Sequence, residues 1–196
     1  MKRIAVFCGS SIGNKEEYLI AAQNLGSALV KNGLGLVFGG GMIGLMGVIA
    51  RRMLEIGGEV IGVIPEALFK KELALKELTD LRIVRSMHER KAVIADLSDG
   101  FIAMPGGLGT IEEIFEALTW TQLGIHTKPC GFLNVRNYFN YLIEFLNHMS
   151  DQNFIDKEHR SMIIMEENPE VLLKKINSYK YQKVDKSVWA LNMLKS

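Results

Sequence analysis

Short apolar runs, separated by stretches with helical spacing, constrain this chain more than any other feature of its sequence. Residues 2–8, 34–38, 60–64, 81–84, 100–104 and 128–135 read as strands, the last of these being the last clear one. They read as continuous apolar runs. A strand with one wet face alternates apolar and polar residues, whereas one covered on both faces does not. The intervening segments carry apolar residues at helical intervals. In the first, Asn14 is the expected N-cap, with Glu17 three residues on. Its stripe is Tyr18, Ala21, Ala22, Leu25, Ala28 and Leu29, and Gly33 stops it. The second carries Leu45, Met46, Ile49, Met53 and Leu54 and stops at Gly57-Gly58. Further helices are predicted at 86–97, 110–123, about 137–149 and 169–178, the last with Asn168 as cap and Pro169 in its first turn. Residues 66–80 read as a short helix or an irregular connection. The expected class is α/β: a doubly wound, mostly parallel sheet with helices on both faces. Residues 1–179 form the expected nucleotide-binding domain, and 180–196 a polar tail without assignment.

A chain of 196 residues is long enough to bury a full core. The formal net charge of +1 gives no global field to attract nucleic acid or an anionic membrane, so any anion must be bound by a local site. No apolar stretch approaches the roughly 18 residues that span a bilayer. No secretory leader pattern opens the sequence. Cys8 and Cys130 each lie in or beside an apolar run, as buried thiols of a reducing compartment do. The expectation is a cytoplasmic protein with no nucleic-acid or membrane partner.

The glycines are clustered, at 39–47 and 106–109. Residues 105–110 read Pro-Gly-Gly-Leu-Gly-Thr between a strand and a helix. A helix start offers unpaired N–H groups and partial positive charge, and glycines let an anion approach it. A tight turn explains one glycine; three in four residues point to a phosphate cradle. It is no Walker loop, since no Gly-Lys-Ser/Thr follows. The first strand exit, Gly9-Ser10-Ser11-Ile12-Gly13, lacks the dinucleotide pattern. Gly39-Gly40-Gly41-Met42-Ile43-Gly44 has G-x-G-x-x-G spacing, a weak signal alone, and reads as a second close-approach loop around the same ligand.

Glu113 admits two readings. Thr110-x-x-Glu113 fits a capping box. Alternatively, Glu113 is a carboxylate one turn above the cradle, off the stripe of Ile111, Ile114, Phe115 and Leu118 and free to reach a cleft. Glu112 and Glu116 read as solvated. Ser86-x-x-Glu89 fits another capping box, which puts Arg90 and Lys91 near a helix start, where cations oppose the dipole. Either they lie on a solvated face, or both point at an anionic ligand, for which the planar fork of Arg is suited. His88, His126, His148 and His159 show no metal spacing.

Residues 105–113, Pro-Gly-Gly-Leu-Gly-Thr-Ile-Glu-Glu, resemble the P-G-G-x-G-T-x-x-E signature of the LONELY GUY (LOG) family, and Arg90-Lys91 stands where that family has its R-K pair. The likeness extends to Cys8-Gly9-Ser10-Ser11, the glycine loop from Gly39 to Gly47, Glu72, and the stretch from Thr119 to His126, over roughly residues 1–178. It implies a Rossmann-like fold, a homodimer, and cytokinin riboside 5′-monophosphate phosphoribohydrolase or AMP nucleosidase activity without cofactor or metal. It implies Arg90 and Glu113 as the catalytic pair. Substrate contacts would come from Glu72, Arg90, Lys91, Gly107, Leu108, Gly109, Thr110, Ile111, Glu112, Glu113 and Thr119. Gly9, Ser10, Gly40 and Gly41 belong to secondary loops. Leu108 replaces the aromatic often found at its position. A small-molecule nucleoside 5′-monophosphate is the expected partner.

A non-catalytic purine-nucleotide sensor would use the same cradle. Amino-acid decarboxylation, a label many members of the family carry, would use pyridoxal on a Schiff-base lysine, and no lysine here has a setting for it.

Overall fold

The computed structural model describes residues 1–69, 75 and 78–181; Glu72 and the tail beyond residue 181 lie outside them. Seven strands form one sheet: β1 (Arg3–Phe7), β2 (Gly35–Phe38), β3 (Val60–Pro65), β4 (Asp80–Val84), β5 (Gly100–Ala103), β6 (Cys130–Leu133) and β7 (Ile163–Glu166). Their order is β4-β3-β2-β1-β5-β6-β7, and every pairing is parallel. The helices are α1 (Glu16–Lys31), α2 (Gly44–Glu55), α3 (Glu66–Phe69), α4 (Met87–Leu97), α5 (Leu108–Gln122), α6 (Asn140–Asp151), α7 (Lys157–Ser161) and α8 (Pro169–Ser178), with a 3-10 turn at Val135–Asn137.

The central strands are wet on neither face, whereas edge strand β4 exposes Arg82 and Ile83. Ile4, Val6, Leu36, Phe38, Ile102 and Leu133 pack with α1, α2 and α8 in one core layer. Their strand neighbours Ala5, Phe7, Val37, Phe101, Ala103 and Phe132 pack with α4 and α5 in the other. This is the period-two alternation of a strand, with an apolar residue at both phases. The chain winds outward from β1 through β2 and β3 to β4, then returns to the other side of β1 and continues through β5 and β6 to β7. The winding reverses between β1 and β5. Loops there diverge from the carboxyl ends of adjacent strands and leave a crevice. The residues that occupy it are Cys8–Gly13 and Met104–Gly107.

Several local expectations change. The cap of α1 is Lys15, extended and without a side-chain hydrogen bond, so Asn14 does not serve. Residues 128–135 hold a strand but not the last one: Ile163–Glu166 adds β7 at the sheet edge, its four residues only half-buried. A half-buried run of four gives little periodic signal. The helix expected from 137 begins at Asn140, after Arg136 and Asn137 take positive φ. Ser86 caps α4 as expected by accepting the Glu89 N–H at 3.1 Å, while the Glu89 carboxylate accepts the Arg85 N–H at 2.7 Å. Asn168 caps α8 through the N–H groups of Glu170 and Val171.

Candidate functional site

The crevice is built by loops that glycine lets approach one another. The Gly9 N–H donates to the Pro105 carbonyl at 3.0 Å, and the Leu45 N–H donates to the Gly9 carbonyl at 3.0 Å. Three strand exits are thus tied through Gly9. Gly44 has φ +62°, and a Cβ there would lie 2.6 Å from the Gly9 oxygen. A Cβ on Gly106 would overlap the Thr110 hydroxyl. By contrast, a Cβ on Gly107 or Gly109 would meet nothing within 4 Å. Those two glycines face open space at the start of α5.

That start is Gly107, not Thr110. Gly107 is the N-cap, no side chain caps it, and Thr110 is buried in the first turn. The capping box Thr110-x-x-Glu113 therefore does not form, and Glu113 is free of that duty. With no side-chain cap, the leading N–H groups of α5 are left unpaired by the helix, the arrangement that suits an anion. Beside it a cavity of about 310 Å³ is lined by Gly9, Ser10, Ser11, Tyr18, Gly107 and Tyr138, among others.

Glu113 and Arg90 meet from different helices. Arg90 Nη1 lies 3.9 Å from Glu113 Oε1, and both side chains are largely buried, 13% and 16% exposed. At that separation the charges interact strongly, yet a direct hydrogen bond is out of reach. The guanidinium is anchored otherwise: its Nε donates to the Val63 carbonyl at 3.1 Å, its Nη1 to the Met87 sulfur at 3.7 Å, and its tip lies against Gly39, where any Cβ would overlap it. Gly39 is the β2 exit, so the second glycine loop serves the site by making room for Arg90. Burial pushes the Glu113 carboxyl above the ordinary carboxylate range, and the Arg90 charge pulls partly against that. A buried carboxyl shifted upward beside an arginine is the kind of perturbed pair that marks a candidate functional site. Burial and the neighbouring Glu113 charge push the Cys8 thiol up as well, which leaves it un-ionised.

Comparison with known proteins identifies the family. The model of the family described as possible lysine decarboxylase matches residues 46–176. The cytokinin riboside 5′-monophosphate phosphoribohydrolase LOG1 of Arabidopsis thaliana is 45% identical, over 98% of this chain and 92% of its own. LOG4 of the same plant is 48% identical, over 90% of this chain and 82% of its own. This chain belongs to the LOG family. Among solved structures, the molybdenum cofactor binding protein of Rippkaea orientalis has a TM-score of 0.68 at 22% identity, covering 91% of this chain and 97% of that one. The molybdenum cofactor carrier protein of Chlamydomonas reinhardtii has 0.67 at 19%, covering 91% and 99%. At such identities the likeness concerns the fold alone.

In this LOG-family chain the predicted residues separate into two groups. Arg90 and Glu113 meet each other, with Glu113 close to Cys8 and in the wall of a small pocket shared with Lys91, Gly109 faces open space, and Gly9, Ser10 and Gly107 line the crevice. Leu108 is 90% exposed beside it. Lys91 does not turn toward the crevice: its ammonium binds Glu112 and reaches Glu116 at 3.4 Å. Glu112 is solvated as expected, at 54% exposed, and Glu116 is half-buried; both also pair with Lys91 and hold it protonated more firmly than usual. Ile111 packs into the core layer. Gly40 packs on Ile64 and Leu81, and Gly41 on Met46, so neither faces the crevice. The Thr119 hydroxyl donates to the Phe115 carbonyl at 2.7 Å and lines a separate groove with Leu146, Met149 and Met162. Glu72 lies outside the described residues. Among the described residues, no group of three or more His, Cys, Asp or Glu is placed to hold a metal ion. His126 is structural: burial lowers it to about 4, and its ring stacks on Phe101 with centroids 5.3 Å apart.

The sequence reading missed Gly39 as the seat of Arg90, the Val63 carbonyl that anchors it, and Tyr138. Gly39 was inside a noted loop, but only the fold puts α4 over it. Tyr138 follows β6, and a strand exit next to the switch point was the available signal.

Proposed function

We propose that this chain hydrolyses the N-glycosidic bond of a purine nucleoside 5′-monophosphate, N6-prenylated or plain AMP, releasing the free base and ribose 5-phosphate. The observation that carries the reading is the Arg90–Glu113 pair at 3.9 Å beside an uncapped, glycine-lined helix start. The names of the relatives, phosphoribohydrolases of cytokinin riboside 5′-monophosphates, support it.

The 5′-phosphate docks on the N–H groups of α5 at Gly107–Thr110. Binding energy from that remote group holds the sugar in place. Departure of the base builds positive charge on the ribose ring. Glu113, close to the cradle and only partly neutralised by Arg90, offsets that charge and orients the attacking water. Water adds at the anomeric carbon as the C–N bond breaks, the bonding pair leaves with the base, and the water's proton passes to the base or the medium. Arg90, anchored on Val63, directs its remaining N–H groups at ribose or phosphate oxygens.

Incubating the purified protein with AMP and with isopentenyladenosine monophosphate, and separating products by chromatography, tests the reading. Free base and ribose 5-phosphate should appear in equal amounts. Glu113→Gln and Arg90→Ala should each reduce release by roughly 10²-fold or more. Folded variants that turn over normally would end the assignment.

We further infer a homodimer. Exposed Leu123, Ile125, Tyr141, Phe145 and Phe154, at the end of α5, on α6 and just after it, support a face that a second copy covers. Sedimentation of the wild type and of Phe145→Glu checks it: two copies, then one. Among the described residues no helix is long and apolar enough to cross a membrane. The free, buried Cys8 and Cys130 support a cytoplasmic setting.

A further inference from the structure

Tyr138 stands outside the pair and the cradle, yet it touches the cradle's backbone. Its hydroxyl donates to the Gly106 carbonyl oxygen at 2.6 Å. Its ring is part of the wall of the cavity that also contains Gly9, Ser10, Tyr18 and Gly107. A peptide unit is planar and trans, so a carbonyl and the N–H of the same unit point to opposite sides. Fixing the Gly106 oxygen therefore fixes the direction of the Gly107 N–H. The restraint matters because neither Gly106 nor Gly107 has a Cβ to resist rotation of the unit between them. If that unit turned over, a carbonyl oxygen would replace the N–H at the helix start, and the cradle would repel an anion.

The segment that carries Tyr138 is held in place at some conformational expense. Arg136 and Asn137 have φ of 53° and 61°, a left-handed conformation that non-glycine residues rarely adopt. Such residues persist where the surroundings impose them. Here the Asn134 side chain accepts the Phe139 N–H at 2.8 Å and donates to Asn140 at 2.8 Å. Arg136 reaches Glu17 at 3.5 Å. The Tyr138 ring meets Phe139 edge-on at 5.0 Å and Tyr18 edge-on at 5.9 Å. With the ring in these contacts, the hydroxyl reaches the Gly106 carbonyl.

We propose that Tyr138 is a positioning residue for the 5′-phosphate: its hydroxyl locks the Gly106–Gly107 peptide so that the start of α5 presents an N–H rather than a C=O to the anion. The inference rests on the cradle as the phosphate site.

Tyr138→Phe tests it, because the ring and its packing remain and only the hydroxyl is lost. The measurements are kcat and KM for AMP, inhibition by ribose 5-phosphate, inorganic phosphate and adenosine, and the melting temperature. KM for AMP should rise about tenfold, with kcat within about threefold, the pattern of a lost ground-state contact. Inhibition by ribose 5-phosphate and inorganic phosphate should weaken in parallel. Inhibition by adenosine, which has no phosphate, should not change. An unchanged KM in Tyr138→Phe overturns the proposal. So does equal weakening of adenosine and ribose 5-phosphate with a fallen melting temperature, which marks a packing role alone. Wild-type protein that binds no ribose 5-phosphate overturns this proposal and the functional reading together. Wild-type binding that Tyr138→Phe does not alter overturns this one alone.

Discussion

Gly39→Ala adds a single methyl group and isolates what the position of Arg90 contributes. The backbone at Gly39 is not in the left-handed region, so alanine is conformationally acceptable there. The obstacle is the guanidinium. The new Cβ would lie 3.0 Å from Arg90 Cζ and nearer still to Nη2. The group must retreat by about 1–2 Å to reach ordinary contact distances near 3.5–4.0 Å. The far end of a long side chain moves more easily than a strand exit, so the fold survives. The Nη1–Glu113 separation of 3.9 Å and the bond to Val63 do not. A misplacement of about 1 Å in a catalytic group costs on the order of 10²-fold in rate, or ~2.7 kcal/mol of transition-state stabilisation. The assay is kcat/KM for base release from AMP, measured in four proteins: wild type, Gly39→Ala, Arg90→Ala and the double variant. Gly39→Ala should lose about 10²-fold in the wild-type background and almost nothing once Arg90 is gone, since residues in contact are not additive. Equal losses in both backgrounds, or full activity in Gly39→Ala, would refute the reasoning that Gly39 acts through Arg90.

Three other outcomes follow from the same structure. Burial raises the Glu113 carboxyl in the folded state from its ordinary 4.5; stability is therefore full below about that pH and declines as pH rises through the raised value, because the unfolded chain ionises first. Glu113→Gln should remove that decline, melting above the wild type at pH 8 and level with it at pH 4; a variant less stable at both would contradict the sign. Gly109→Ala places a methyl group in open space on a helix, so stability should rise by about 0.4–1 kcal/mol while KM for AMP increases several-fold as the methyl enters the cradle; urea unfolding and kinetics on one preparation decide it. Ser86→Ala removes the cap of α4 and should cost about 1 kcal/mol in urea unfolding with kcat little changed, since Arg90 is held by Val63 rather than by the cap.

The sequence by itself determined the layered α/β class, most element positions and the glycine-rich strand exit at 105–110. Those are local properties: an apolar run such as residues 100–104 or a stop such as Gly33 carries its signal within a few residues. It also supplied Arg90 and Glu113 as candidates through a motif, without saying whether they meet. Tertiary structure decided that. Arg90 and Lys91 are neighbours in sequence, yet a helix turns successive side chains by about 100°, and packing of α4 on the sheet sends one to Glu113 and the other to Glu112 and Glu116. Thr110 looked like a helix cap until α5 began at Gly107 and freed Glu113. β7 and Tyr138 gave no periodic signal, because an edge strand of four residues and a turn held by distant partners are specified by what packs against them. Local pattern fixes which elements form; the reversal of winding between β1 and β5 fixes which of their ends face one another.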